Sequence, residues 1–233
     1  MMNKSVLIST FFSKSFENEI NESLFIRSYQ MNCDDVRSYI EDLIKTPMIS
    51  FIEHIINEST TSYITYQDVV QYSSLYDSSV GVCNVLAAVD NEGLSNIEIG
   101  AALLNDGVIR KEGALRKYGE NQAKTGVELG LVQSCYSKYY LTCLGLMFNQ
   151  LNDAAKNELL RRTILRNRFF QKLIKKSQQG PVSIAREMSF LSNSTAKRRM
   201  PNVRNLYTMI FGSEPEVHSI LSKIYIADIP EMQ

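Results

Sequence analysis

The chain has 233 residues, 44% of them hydrophobic and 21% charged, with 25 Lys+Arg balanced by 25 Asp+Glu. That is a globular composition, long enough for two or three small domains and too short for a large multidomain enzyme. It holds no run of the roughly 20 apolar residues needed to cross a bilayer and does not begin with a secretory leader, so a cytoplasmic location is expected.

Residues 1–72 read as an acidic N-terminal region, mixed α/β or helical. The stretch 6–12, VLISTFF, has the character of a strand. Val36, Ile40 and Ile44, then Ile52, Ile55 and Ile56, repeat at helical spacing on either side of Pro47, whose ring interrupts the backbone ladder. His54 lies among apolar neighbours and is read as structural.

Residues 73–149 read as a first domain. Val80, Val82, Val85, Leu86 and Val89 make a helical stripe that Gly93 can terminate. Ser95 followed by Glu98 is a capping box opening a second helix. A loop through Asn105, Asp106 and Gly107 precedes a third, with Leu115, Ala123, Val127 and Leu129 inward and Lys117, Asn121 and Lys124 outward. Gly119 and Gly126 are read as loosening that helix. Two strands joined by a polar turn follow, and then an apolar segment around Leu144, Leu146, Met147 and Phe148. Helices in this order suit a helix-turn-helix, and a hairpin after the third suits a wing.

Residues 150–212 repeat the plan without an evident wing. Leu159, Leu160, Ile164, Leu165, Phe169, Phe170, Leu173 and Ile174 form a long amphipathic stretch. Gln178 to Pro181 is a turn, and Ser183 stands at the start of a short helix. The third helix carries Ala196, Val203, Leu206, Tyr207 and Ile210 on its apolar face. Ser192 or Ser194 can cap this helix, with Pro201 then inside it as a kink; a shorter helix starting near Met200, with Pro201 in its first turn, is the alternative. Residues 213–233 form an acidic tail, able to supply a strand or to pack on the domain; His218 within it has no candidate metal partner.

Charge is segregated along the chain. Residues 1–95 carry 5 basic and 13 acidic side chains, residues 96–212 carry 19 and 8, and the last 21 carry 1 and 4. Residues 156–204 hold 13 Lys+Arg against Glu158 and Glu187 alone. A basic block of this kind is the footprint of a phosphate-binding face, with solvated surface as the plain alternative. On the third helix of the second domain, Lys197, Pro201 and Arg204 form one ridge, and Arg198, Asn202 and Asn205 form the next. Arg and Asn present the forks that pair with guanine and adenine edges; Lys197 and Arg199 suit phosphates. Ser194 and Thr195 lie at the helix start, where backbone N–H groups favour an anion. In the first domain the candidates are Lys117, Tyr118, Asn121, Gln122 and Lys124, with Lys138 near the wing.

No catalytic signature is present: no P-loop, GxGxxG, HExxH or GxSxG. Asp34, Asp35, Glu41, Asp42 and Lys45 have the wrong spacing for a Mg²⁺-binding nuclease and sit on a predicted helix, so they read as a solvated acidic face. Cys33, Cys83, Cys135 and Cys143 form neither a CxxC nor a Cys/His cluster, and no metal or cofactor is expected.

The run Tyr140-Leu141-Thr142-Cys143-Leu144-Gly145 resembles the strand-to-helix exit of winged-helix domains. Ser194-Thr195-Ala196-Lys197-Arg198-Arg199-Met200, continued by Val203-Arg204-Asn205-Leu206-Tyr207, resembles a segment of the winged-helix modules attached to restriction enzymes and other phage-defence proteins. Lys117-Tyr118-Gly119-Glu120-Asn121, with Ala123-Lys124 and Leu129-Gly130-Leu131-Val132, resembles the first module of the same tandem. The likeness spans about residues 75–211; Leu206-Tyr207 stands where those modules often have Trp, and no nuclease domain is recognisable. It implies a mainly α protein with small β wings, two tandem winged-helix domains, and a non-catalytic role as a DNA specificity subunit or regulator. The acidic N-terminal region would then bind a protein partner or a second copy. Tandem winged helices serving as a protein-interaction subunit are the alternative reading, and an unrecognised nuclease in residues 1–70 is a third.

Overall fold

The computed structural model describes residues 33–58, 64–69, 71–72, 74–89, 92–165, 167–211 and 223–225. The strand expected at 6–12 and His218 lie outside them. The described chain is mainly helical, and it falls into two compact units that are discontinuous in sequence. One unit takes residues 33–43 and 72–157; the other takes 44–71 and 158 onward. Residues 33–71 are thus divided between the units rather than standing as a region of their own.

Helix α1 (Cys33–Lys45) begins the described chain; residues 33–43 of it lie in the first unit, with Val36, Ile40 and Leu43 buried. A wide π turn at Asp77–Gly81 leads directly into α3 (Val82–Ala87). The inward residues there are Val82, Cys83 and Leu86, while Val80, Val85 and Val89 of the expected stripe are only half-buried. One π turn carries more residues per revolution than an α turn, which shifts the inward face around the axis.

Helix α4 (Asn96–Leu103) starts at the expected capping box: the Glu98 N–H donates to Ser95 Oγ at 3.4 Å, and the Ser95 N–H donates to Glu98 Oε2 at 2.8 Å. The Ser95 backbone N–H, and then the Ser95 hydroxyl donating to the same oxygen at 2.7 Å, hold the Glu98 carboxyl below its ordinary range. The α4 helix packs on α5 (Glu112–Glu128) through glycines. A Cβ on Gly119 would stand 1.9 Å from the Asn96 carbonyl oxygen, and one on Gly100 would stand 2.0 Å from that of Leu115. Gly119 therefore lets two backbones meet; it does not loosen the helix.

Strands β1 (Val132–Cys135) and β2 (Lys138–Leu141) pair antiparallel, and Leu94 bridges to Tyr139 from the segment before α4. The hairpin turn places Tyr136 and Ser137 at φ +47° and +64°. Helix α6 (Cys143–Gln150) begins where Thr142 accepts from the Gly145 N–H at 3.0 Å. A Cβ on Gly145 would lie 2.1 Å from the Leu131 carbonyl oxygen, which gives the Leu-Thr-Cys-Leu-Gly sequence its physical meaning: a cap, then a close crossing.

In the second unit, α2 (Met48–Glu58) follows the break at Pro47, with Met48, Phe51, Ile52 and Ile55 inward. His54 is exposed on α2. The amphipathic stretch is two helices, α7 (Asp153–Leu165) and α8 (Arg168–Ser177), with Asn167 capping the second through the Phe169 N–H at 2.9 Å. All eight of its expected core residues are buried.

The order then runs β3 (Val182–Ser183), α9 (Ile184–Glu187), α10 (Asn193–Phe211) and β4 (Ile224–Tyr225). The tail supplies a strand, and it pairs parallel to β3. Ser183 caps α9 by accepting from the Arg186 N–H at 3.3 Å.

Buried arginines on α7 satisfy carbonyls at the ends of other helices and beside them here. Arg161 donates to the Ile210 carbonyl at 2.7 Å, and Arg162 donates to the carbonyls of Thr46 at 2.6 Å and Ile44 at 3.2 Å. Glu158 balances both, at 2.5 Å from each. Burial pushes its carboxyl up, but hydrogen bonds from Arg162 and Arg161 outweigh that and leave it below its ordinary range.

Candidate nucleic-acid interface

Helix α10 starts at Asn193, well upstream of Met200, and Pro201 lies inside it rather than in its first turn. Ser192 is the capping residue, accepting from the Thr195 N–H at 3.4 Å, while its hydroxyl meets that of Thr195 at 2.9 Å. Ala196, Met200, Val203, Leu206 and Ile210 bury one face. The opposite stripe, exposed throughout, is Ser194, Lys197, Arg198, Pro201 and Asn205, with Thr195, Asn202 and Arg204 half-buried beside it. The two ridges expected from sequence thus contribute mainly one face.

Arg199 is not part of it. It is only 9% exposed, donates to the carbonyls of Tyr66 and Val69, and lays its guanidinium 5.8 Å from the centre of the Tyr66 ring. A phosphate role would require breaking those bonds and leaving buried carbonyls without donors. Its spacing to Val203, Leu206 and Ile210 already places it on the inward stripe, a signal that composition conceals.

Lys197 and Arg198 have no acidic partner among the described residues, and α10 itself contains no Asp or Glu. Arg186 on α9, which neither spacing nor charge counts single out, is likewise exposed and without an acidic partner among those residues. By contrast, Lys172 and Lys176 of α8 are engaged with Glu187 at 3.1 and 2.7 Å. The result is a short helix, a turn and a capped longer helix, with exposed cations on both helices that have no acidic partner among the described residues.

In the first unit, α5 is electrostatically different. Arg116 pairs with Glu112 at 2.8 Å, while Lys117 and Lys124 share Glu120 at 3.2 and 2.5 Å. Hydrogen bonds from Lys124 and then Lys117 hold the Glu120 carboxyl down. Exposed pairs are individually weak, yet they leave this helix with little net field to attract a polyanion. Asn121 is exposed, as expected.

Two other candidates on α5 are structural. Gln122 is fully buried and accepts from Ser78 Oγ at 2.5 Å. Tyr118 donates to Asp77 Oδ2 at 2.5 Å, and burial, reinforced by that carboxylate, raises its phenol to about 12. Both hold α5 to the π turn; Gln122 is enclosed there, while Tyr118 stays half-buried. Lys138 points back to the Glu92 carbonyl at 3.1 Å.

Among the described residues no group of His, Cys, Asp or Glu is placed to hold a metal ion, and no helix is long and apolar enough to cross a membrane. Glu41, Asp42 and Lys45 are exposed on α1, where a nuclease triplet would want a strand. Cys83, Cys135 and Cys143 are free thiols; burial raises the first to about 12 against a lowering pull from Lys156, so it is a packing residue rather than a nucleophile. No family model, curated protein or solved structure matches this chain.

Proposed function

We propose that this is a non-catalytic DNA-binding protein that reads duplex DNA through tandem winged-helix domains, with α9 and α10 as its principal reading element. The observation that carries the reading is the outward face of α10, where Lys197 and Arg198 stand exposed, with no acidic partner among the described residues, on a capped helix behind a short helix and a turn. In that geometry the second helix enters the major groove while the first crosses the backbone, which suits Arg186 to a phosphate. Arg198 and Asn205 are the residues suited to base edges, Lys197 to a phosphate.

The first unit supports the same architecture by its order of elements. The π turn and α3, the bridged Leu94, α4, α5 and the hairpin match the succession of a winged helix, with Leu94 as its first strand. The neutral face of α5 makes that unit the minor contributor to affinity. The resemblance to modules of restriction and phage-defence proteins makes a specificity subunit or regulator of such a system the proposed setting.

The second reading, a protein-interaction subunit, is favoured by the same neutrality of α5 together with exposed apolar side chains nearby in sequence, Val108 and Ile109 before the helix and Tyr136 on the hairpin. Fluorescence anisotropy with a labelled random duplex at several salt concentrations separates the two. Binding whose logarithm falls with the logarithm of salt, at a slope worth several phosphates, supports DNA recognition; no binding at low salt refutes it.

A further inference from the structure

The middle of the outward face of α10 is a proline. Pro201 is exposed, about one turn after Lys197 and Arg198 and one turn before Asn205. It has no N–H to give the Lys197 carbonyl and its ring crowds that carbonyl, which makes it the least favourable residue for a helix interior. Its ring is not buried against the unit, so core packing does not ask for it. A local rule broken on a solvent-facing position, inside the stripe that carries Lys197 and Arg198, is the mark of a demand other than folding.

What the ring presents outward is a rigid apolar surface with no hydrogen-bond donor. In the major groove one base edge matches it, the C5 methyl of thymine. Three residues of helix rise about 4.5 Å and four about 6 Å, close to one or two base-pair steps of roughly 3.4 Å. A base met by Pro201 therefore lies within about two steps of those met by Arg198 and Asn205. We infer that Pro201 is a specificity-determining residue that packs against a thymine methyl between a guanine met by Arg198 and an adenine met by Asn205. The inference rests on the DNA-binding reading above.

The test uses the full chain. Preferred duplexes are selected from a random library, and each thymine is then replaced singly by deoxyuridine, which removes the methyl alone. Affinities are measured for the wild type and for Pro201→Ser. At one thymine the wild type is expected to lose about fourfold in affinity, the worth of one buried methyl. Pro201→Ser loses nothing there, so the two changes are coupled. A proline that only shapes the helix produces no such coupling, and a thermal melt of Pro201→Ser no lower than wild type shows that the fold is intact. Equal losses in both proteins at every thymine, or no loss anywhere, overturn the inference. So does binding without sequence preference, which leaves DNA contact standing; absence of binding at low salt overturns both.

Discussion

Gly119→Ala isolates the crossing that sets α4 against α5. A new Cβ would sit 1.9 Å from the Asn96 carbonyl oxygen and 2.7 Å from the Gly100 nitrogen, and both are backbone atoms that no rotamer change can move aside. Restoring an ordinary separation means parting the helices by more than about 1 Å, which loosens the packing that surrounds the close crossing. Alanine is intrinsically the better helix former by about 1 kcal/mol, but overpacking of a rigid crossing costs about 3 kcal/mol or more, so the clash wins and about 2 kcal/mol of stability disappears. For a chain of this length melting in one transition that is a fall of about 4–8 °C in the melting temperature. Gly113→Ala on the same helix is the control: nothing lies within 4 Å of its Cβ, so helix propensity acts alone and stability is unchanged or rises by up to about 1 kcal/mol. Urea denaturation followed by circular dichroism measures both. A Gly119→Ala protein as stable as wild type, or two variants that shift in the same direction, would refute the reasoning.

Further outcomes are expected elsewhere in the chain. Arg199→Met removes the donors to the Tyr66 and Val69 carbonyls; it should cost about 2–4 kcal/mol in urea unfolding. Arg198→Ala, exposed one residue earlier, should leave stability within about 0.5 kcal/mol and weaken duplex binding; the reverse pattern would exchange their roles. The Glu158 carboxyl is held below its unfolded value by Arg162 and Arg161 against the opposing effect of burial. Its contribution to stability is present above the unfolded pKa and lost as pH falls through the folded one. Glu158→Gln should therefore flatten the acid limb of a stability-versus-pH profile, and an unchanged limb would show that the cluster adds nothing there. Gln122→Leu leaves the buried Ser78 hydroxyl without its side-chain acceptor and should lower the first unit's melting temperature without altering affinity for DNA.

Much of the architecture was legible because its determinants are local. Ser95 with Glu98, Thr142, Ser183 and Ser192 all cap helices, and each cap lies within three residues of the N–H it accepts. The buried set from Leu159 to Ile174 follows from spacing alone. What sequence concealed depends on distant partners. Arg199 meets the Tyr66 carbonyl across 133 positions, so a basic run read in isolation made it look like a phosphate ligand. Gln122 meets Ser78 across 44, and its polarity suggested an outward residue where burial holds it inside. The restart of the helix at Asn167 leaves the apolar pattern nearly unchanged, and the π turn at Asp77–Gly81 rotates the inward face in a way that α-helical spacing does not encode, so periodicity could not reveal either. Glycine at 119 looked like flexibility because the Asn96 carbonyl it accommodates belongs to another helix.

Salt dependence of duplex binding, measured by anisotropy on paired double variants, tests the central claim most directly. Lys197→Ala with Arg198→Ala removes two exposed cations of α10, whereas Lys117→Ala with Lys124→Ala removes two that are paired with Glu120 on the overall neutral α5. For every phosphate that a variant no longer neutralises, the slope of log affinity against log salt falls by about 0.9. The α10 pair is expected to lower it by about one to two and the α5 pair by much less. Equal slopes in both variants and wild type, or a larger fall from the α5 pair, would contradict α10 as the principal DNA-reading element.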